Sequence, residues 1–411
     1  VNAGLMQIKT GDIRYNSFDA LRACMMILGL VLHTVLSYTT YTEGFFANFF
    51  KDSFTSRVCD GLLWWIHIFR MPVFFVMAGF FALLVFKKKG RKLFIKNRLN
   101  RIVYPLLVAW IILNPFIRIA FTFPEYISDL GLTGALKQAF NKILLSPWGL
   151  GPLHLWFLYF LALFYMLMLI VFKLPDPIKN IINKVFCEVM KLRLRVLFFA
   201  LITIVLLLFM EAGTFDTPRR FIPINPGVFF SYFYFFSFGI LLYKNRDLVE
   251  SLKKDIWILP ILSFAAFAVH FYFVDIAQYP KNINTFNIVM ASVSGGICCW
   301  LCIFSVTGVF LKYLENGNKL FRATSDASYW VFLIHFPIVL LLIGIAAPLQ
   351  IPALLKCLII ILSAYFLLMG SYKLFVKNTF IGKFLNGKPM AETGGGTEAA
   401  AGFYPENKIQ D

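Results

Sequence analysis

Gly61-Leu62-Leu63-Trp64-Trp65-Ile66-His67-Ile68-Phe69-Arg70-Met71-Pro72-Val73-Phe74-Phe75-Val76-Met77-Ala78-Gly79-Phe80-Phe81-Ala82-Leu83-Leu84-Val85-Phe86 is an apolar run broken by two ionisable residues, His67 and Arg70. A helix needs about 20 apolar residues to cross a bilayer. The run is long enough, and the next residues, Lys87-Lys88-Lys89-Gly90-Arg91-Lys92, end it in charge. It reads as a membrane span, and that reading decides the fold.

Nine further segments read the same way, at 20–41, 102–123, 151–172, 196–212, 226–243, 256–274, 287–310, 329–347 and 353–372. The expected fold is an all-α polytopic membrane protein of about ten transmembrane helices. Composition agrees: of 411 residues, 59% are hydrophobic and only 15% charged, where a soluble domain carries roughly 25% charge. Mean hydropathy is +0.75. A water-soluble enzyme, a disordered chain and a disulfide scaffold are excluded, because a soluble core cannot hide this much apolar surface.

Lysine and arginine set the orientation. With the N-terminus inside, 29 of the 39 fall on the inner side and seven on the outer, so both termini are expected to be cytoplasmic. The formal charge of +18 follows from that topology and implies no nucleic-acid partner. No cleavable leader is expected, because the first apolar run has no small-residue cleavage site after it. Residues 1–380 are read as one membrane domain and 381–411 as a disordered cytoplasmic tail, given its Gly394-Gly395-Gly396 and Ala399-Ala400-Ala401 runs. Three of the seven cysteines, Cys298, Cys299 and Cys302, share one span, and only Cys59 is near the outer face, so no disulfide is expected. The five histidines have no metal-ligand spacing, and no metal is expected.

An ionisable side chain inside a span is costly unless paired or wet, which makes each one a site candidate. The first span opens Phe18-Asp19-Ala20-Leu21-Arg22 and reaches His33 eleven residues after the arginine. Eleven steps of about 100° return to within roughly 20° of the starting direction, so Arg22 and His33 share a face about 16 Å apart along the axis. Asp19 is placed to pair with Arg22. Arg22 also reads as a snorkelling anchor, and His33 as a buried ring satisfied by Ser37 or a carbonyl. His67 and Arg70 share a face of the second span, with Arg70 too deep to reach the cytoplasmic edge easily. The stretch 87–101 carries eight cations, among them Lys88, Arg91, Arg98 and Arg101. That is more than topology requires and suits lipid headgroups or the phosphates of a nucleotide-type donor. No Walker or dinucleotide fingerprint accompanies it. His154 stands at the outer start of the fourth span beside Trp156, and His335 about two turns into the ninth; His270 reads as interfacial. Glu211, Asp216, Arg219 and Arg220 read as ordinary outer-loop charges. The loops 124–150 and 213–225, with His154, are expected to line an outer vestibule.

Taken together these residues resemble the acyltransferase-3 family of integral membrane proteins, over roughly residues 14–372. The resemblance rests on Arg22 with His33, Arg98-x-x-Arg101, Phe74-Phe75-Val76-x-x-Gly79-Phe80, His154-Leu155-Trp156-Phe157-Leu158, and Ser328-Tyr329 followed by His335-Phe336-Pro337. The string Phe69-Arg70-Met71-Pro72 with Ala78-Gly79-Phe80-Phe81 is most similar to the branch that modifies periplasmic glucans. The resemblance implies transfer of an acyl group, acetyl or succinyl, from cytoplasmic acyl-CoA to a hydroxyl of an extracytoplasmic carbohydrate. It implies a multi-pass protein of the bacterial inner membrane, with acyl-CoA as co-substrate and no bound cofactor. By that analogy His33, Arg22 and Asp19 are catalytic, and Arg98 and Arg101, with Lys88 and Arg91, take the donor. Arg70, His67, His154 and His335 are expected at substrate or oxyanion. A secondary transporter or flippase for an anionic sugar or metabolite would use the same intramembrane groups as counter-charge and proton relay.

Overall fold

The structure, a computed structural model, describes residues 15–43, 46, 49–144, 151–218, 220–278 and 284–386. These form α1 (Asn16–Val35), α2 (Arg57–Arg98), α3 (Tyr104–Leu144), α4 (Trp156–Val171), α5 (Asp176–Lys191) and α6 (Arg195–Leu207). They continue with α7 (Pro226–Lys244), α8 (Ile258–Gln278), α9 (Thr285–Tyr313), α10 (Lys319–Ala346), α11 (Ala353–Ser371) and α12 (Phe380–Asn386). No strand occurs among the described residues.

Eight helical stretches are long and apolar enough to cross a membrane, and one of them, Arg57–Lys142, runs through two of the expected spans. It is not one rod. Gly90 (φ 71) and Gly131 (φ 64) take the left-handed conformation that a side chain resists, and each breaks the helical path. Between them the five-residue π-helical turn Leu99–Val103 joins α2 to α3. The expected fifth span is the 13-residue α6, at about 1.5 Å per residue too short to cross a core of about 30 Å.

α1 lies at the centre, packed against α2, α9, α10 and α11; α2 also packs on α7, α3 on α10, and α8 on α9. Paired glycines let α2 and α7 approach closely. A Cβ on Gly79 would strike the Phe236 carbonyl of α7, and one on Gly239 of α7 would strike the Val76 carbonyl of α2. Small residues are what allow such contact between membrane helices.

Alternate helices give the bundle two distinct ends. The basic end carries Asn16, Arg98, Arg101, Arg322 and Lys373; the opposite end carries Lys51, Arg57 and Lys356. At the opposite end the segment between α1 and α2 is strapped down. Lys356 Nζ of α11 lies 2.9 and 2.7 Å from the two Asp52 oxygens, with both side chains fully buried. Asp60 accepts from the Thr40 amide and hydroxyl, and Arg57 bridges Asp60 to Asp275. Lys51 donates to the Leu36 carbonyl and the Thr39 hydroxyl at 2.6 Å each, and burial holds its amine down at about 8.

Several expectations need correction. Residues 124–144, expected as loop, continue α3 past Gly131. The stretch 173–195, between the expected spans 151–172 and 196–212, holds amphipathic α5, which buries Phe186 and Met190. His270, read as interfacial, is fully buried inside the bundle, bonded through Nδ1 to the Ala291 carbonyl, in the space left by Gly295. Cys59 has a cysteine neighbour after all, since Cys357 at the start of α11 brings its sulfur within 4.0 Å; both are free thiols. The stretch expected as tail opens in α12, with Leu385 buried; residues 387–411 lie outside the described residues, as does Arg219.

Candidate active site

Pro337 organises the site from within α10. Proline has no N–H, so the carbonyl four residues earlier, on Leu333, loses its helical donor. His154 supplies the missing bond from another element: its Nε2 lies 2.8 Å from the Leu333 oxygen. His335, two residues before the proline, turns Nδ1 back onto its own helix, 2.8 Å from the Phe332 carbonyl and 3.2 Å from that of Val331. A carbonyl can only accept, so each contacting nitrogen carries the proton and the other keeps its lone pair. The spare nitrogens, Nδ1 of His154 and Nε2 of His335, are buried with no hydrogen-bond partner, as is Nδ1 of His33.

These three histidines form one cluster. The His335 ring centre lies 5.2 Å from that of His33 and 5.4 Å from that of His154, and Phe336 packs 4.8 Å from His33 and 5.2 Å from His154. Among the described residues no three such ligands converge on a metal position.

Arg70 lies close by. Its guanidinium occupies the place where a Gly29 side chain would be, one helical turn before His33 on α1. Nε donates to the Met25 carbonyl at 2.9 Å, and Nη1 lies 3.8 Å from the Met71 sulfur. The side chain is buried, stands 5.5 Å over the Phe74 ring, and has no carboxylate partner among the described residues. Such a charge is retained at a cost unless an anion or water reaches it.

A cavity of about 860 Å³ connects this depth to the basic end. That volume is within the range of small-molecule sites, roughly 300–1,000 Å³. Its floor includes His335 and Arg70, and its middle is apolar, with Met26, Met71, Phe74, Met77 and Phe157. Its mouth carries Arg22, Arg98, Arg101 and Arg322, plus three lysines from the end of α11 onward. Among the described lining residues, counting Arg70, there are eight cationic side chains and one carboxylate, Asp326. Arg22 pairs with Asp19 at 3.3 Å and approaches Ser325 at 3.5 Å. Arg98 is stacked between aromatic faces, 4.7 Å from the Tyr165 ring centre and 5.0 Å from that of Phe94, and its Nε is buried without a partner. Tyr329 donates to the Arg101 carbonyl at 2.7 Å and ties α10 to the π-helical turn.

Of the residues nominated from sequence, Arg22, Arg70, Arg98, Arg101 and His335 line the cavity. His33 does not line it but touches His335 from behind. His154 is buried beside His335 rather than lining a vestibule. His67 binds the Phe215 carbonyl at 2.7 Å and stands apart from the cavity. Lys88 and Arg91 are exposed on either side of the Gly90 break and do not line it. Sequence reasoning missed Arg322, Lys373, Lys377 and Lys383, whose charges had been attributed to topology.

A polytopic helical membrane protein with a cation-rimmed cavity that ends on histidines is the frame the fold and site define. The acyltransferase domain description matches residues 15–372, and the chain belongs to that acyltransferase-3 family. It is similar to glucans biosynthesis protein C of Salmonella paratyphi B, Salmonella heidelberg and Salmonella dublin, at 29% identity over 153 residues in each case. That stretch is 35% of this chain and 35% of each relative, so the chain spans about a third of the length of the curated relatives it matches. No solved structure matches.

Proposed function

We propose that the chain moves an acyl group, acetyl or succinyl, from acyl-CoA bound through the basic mouth to a hydroxyl of a carbohydrate. The carbohydrate arrives from the opposite side, and the names of the relatives favour a periplasmic glucan. The setting is a bacterial inner membrane with both termini cytoplasmic. The observation that carries the reading is the cavity: eight cations to one carboxylate among its described lining residues, an apolar middle, and His335 with Arg70 at its floor. A polyanionic nucleotide suits the rim and a pantetheine arm the middle, which brings the thioester to the floor.

In the reaction the acceptor oxygen attacks the thioester carbonyl carbon. The new C–O bond forms, the C–S bond breaks, and the hydroxyl proton passes to an imidazole and from it to the departing thiolate. His33 is the base in this reading, with His335 against it on the donor side; His154 holds α10 through the Leu333 carbonyl. Arg70 stabilises the oxyanion. Arg22, fixed by Asp19, orients the donor.

The test is thermal stabilisation of the detergent-purified protein by acetyl-CoA, succinyl-CoA and free CoA. A ligand that binds only the folded state at 100 times its dissociation constant adds about 2.7 kcal/mol. The expected result is a rise in melting temperature that is lost when Arg98 and Arg101 are both changed to Ala. No rise with any of the three would overturn the donor reading and favour a transporter with His33 as proton relay.

A further inference from the structure

We propose that Lys373, Lys377 and Lys383, near the end of the described chain, form a second phosphate-binding wall of the cavity. They line the same cavity as Arg98 and Arg101. The inference rests on the acyl-CoA reading above and extends it to the nucleotide end of the donor.

Three observations converge. First, all three lysines line the same cavity as His335, together with Arg322 of α10. Lysines that serve only topology lie along the headgroup plane; these border a space that deepens to a histidine floor. Second, the wall is anchored. Val376 and Leu385 are buried, α12 packs on the turn Leu99–Val103, and Trp330 Nε1 of α10 donates to Ser371 Oγ at 3.0 Å. Third, both walls use the same uncommon backbone device. Arg101 sits in the π-helical turn Leu99–Val103 and Lys373 in the π-helical turn Tyr372–Val376. Such turns are rare and concentrate at functional sites. Like charges held around one cavity repel, and among its described lining residues the cations outnumber the carboxylates. A ligand with several phosphates relieves that repulsion.

The ligand chemistry is phosphate ester, which a nucleotide or an anionic lipid headgroup can supply. The experiment uses the full chain in nanodiscs of neutral lipid and, separately, of lipid containing phosphatidylglycerol. Affinities are measured for CoA and for dephospho-CoA, which lacks the 3′-phosphate. The variant is Lys373→Gln/Lys377→Gln/Lys383→Gln, with the triple Lys→Arg variant as control. The expected result is a fall in CoA affinity of roughly tenfold or more, from lost charge-assisted contacts. It should appear in both lipids, be restored by arginine, and shrink the preference of the protein for CoA over dephospho-CoA. Unchanged CoA affinity in the glutamine variant, with binding still lost on Arg98→Ala/Arg101→Ala, overturns this inference and leaves the donor reading standing. A loss confined to the anionic nanodiscs overturns it in favour of headgroup binding. No CoA binding by the parent protein overturns both.

Discussion

His335 collects constraints from three directions. Its helix is fixed by Pro337 and His154, its Nδ1 is committed to its own backbone, and its ring packs beside His33 with Nε2 left without a hydrogen-bond partner. Arg70 is positioned with the same economy, its guanidinium lying where Gly29 has no side chain. Gly29→Ala therefore pushes Arg70 away from α1 without adding or removing a charge. The expected outcome is a loss of acyl transfer of about a hundredfold, the scale of an ångström-level misplacement. The protein should still be recovered from the membrane as a folded species; unchanged turnover would show that the position of Arg70 is immaterial. Helical phase and the cost of buried charge made Arg22, His33 and Arg70 visible in the sequence, because those arguments act within one helix. The family resemblance put His33, His154 and His335 at one site, but their direct contact was not visible in the spacing. It depends on a carbonyl freed by a proline on one helix and taken by a histidine from another, and no spacing in the chain encodes that.

Among the elements, the strap at the opposite end depends most on a single interaction. Lys356 and Asp52 are both buried and bonded to each other, and Lys356 also donates to the Ala347 carbonyl at 3.2 Å. Removing one partner of a buried pair costs about 3–5 kcal/mol, because the other charge is left uncompensated. Lys356→Met should lower the melting temperature accordingly, and Lys356→Met/Asp52→Leu should recover most of the loss. A single variant as stable as the parent would show that the pair does not hold the strap. In the sequence nothing links Lys356, inside the expected span 353–372, to Asp52, between the expected spans 20–41 and 61–86. Only the return of the strap onto α11 joins them. The helix ends show a related limit: hydropathy located the membrane runs but could not separate α5 from loop or foresee that α3 continues past Gly131.

On the scale of the whole molecule, the positive charge is distributed by use as well as by topology. Lys88 and Arg91 came from the densest basic stretch, yet they lie exposed beside the Gly90 break. The sparser cations from α10 onward reach the cavity. Charge density along the chain predicted which end would be basic but could not show which charges turn inward. The proposed function depends on this cavity delivering a thioester to the histidine cluster. It is tested most directly by thiol release from acetyl-CoA and succinyl-CoA by the purified protein, with and without a carbohydrate acceptor. The parent should be compared with His33→Ala and His335→Ala. Release by the parent should fall at least about a hundredfold in His33→Ala, the lower range for loss of a general base, and clearly in His335→Ala, while CoA still stabilises both variants against heat. Parental release in both variants, or none from the parent with any donor, would contradict the proposed function.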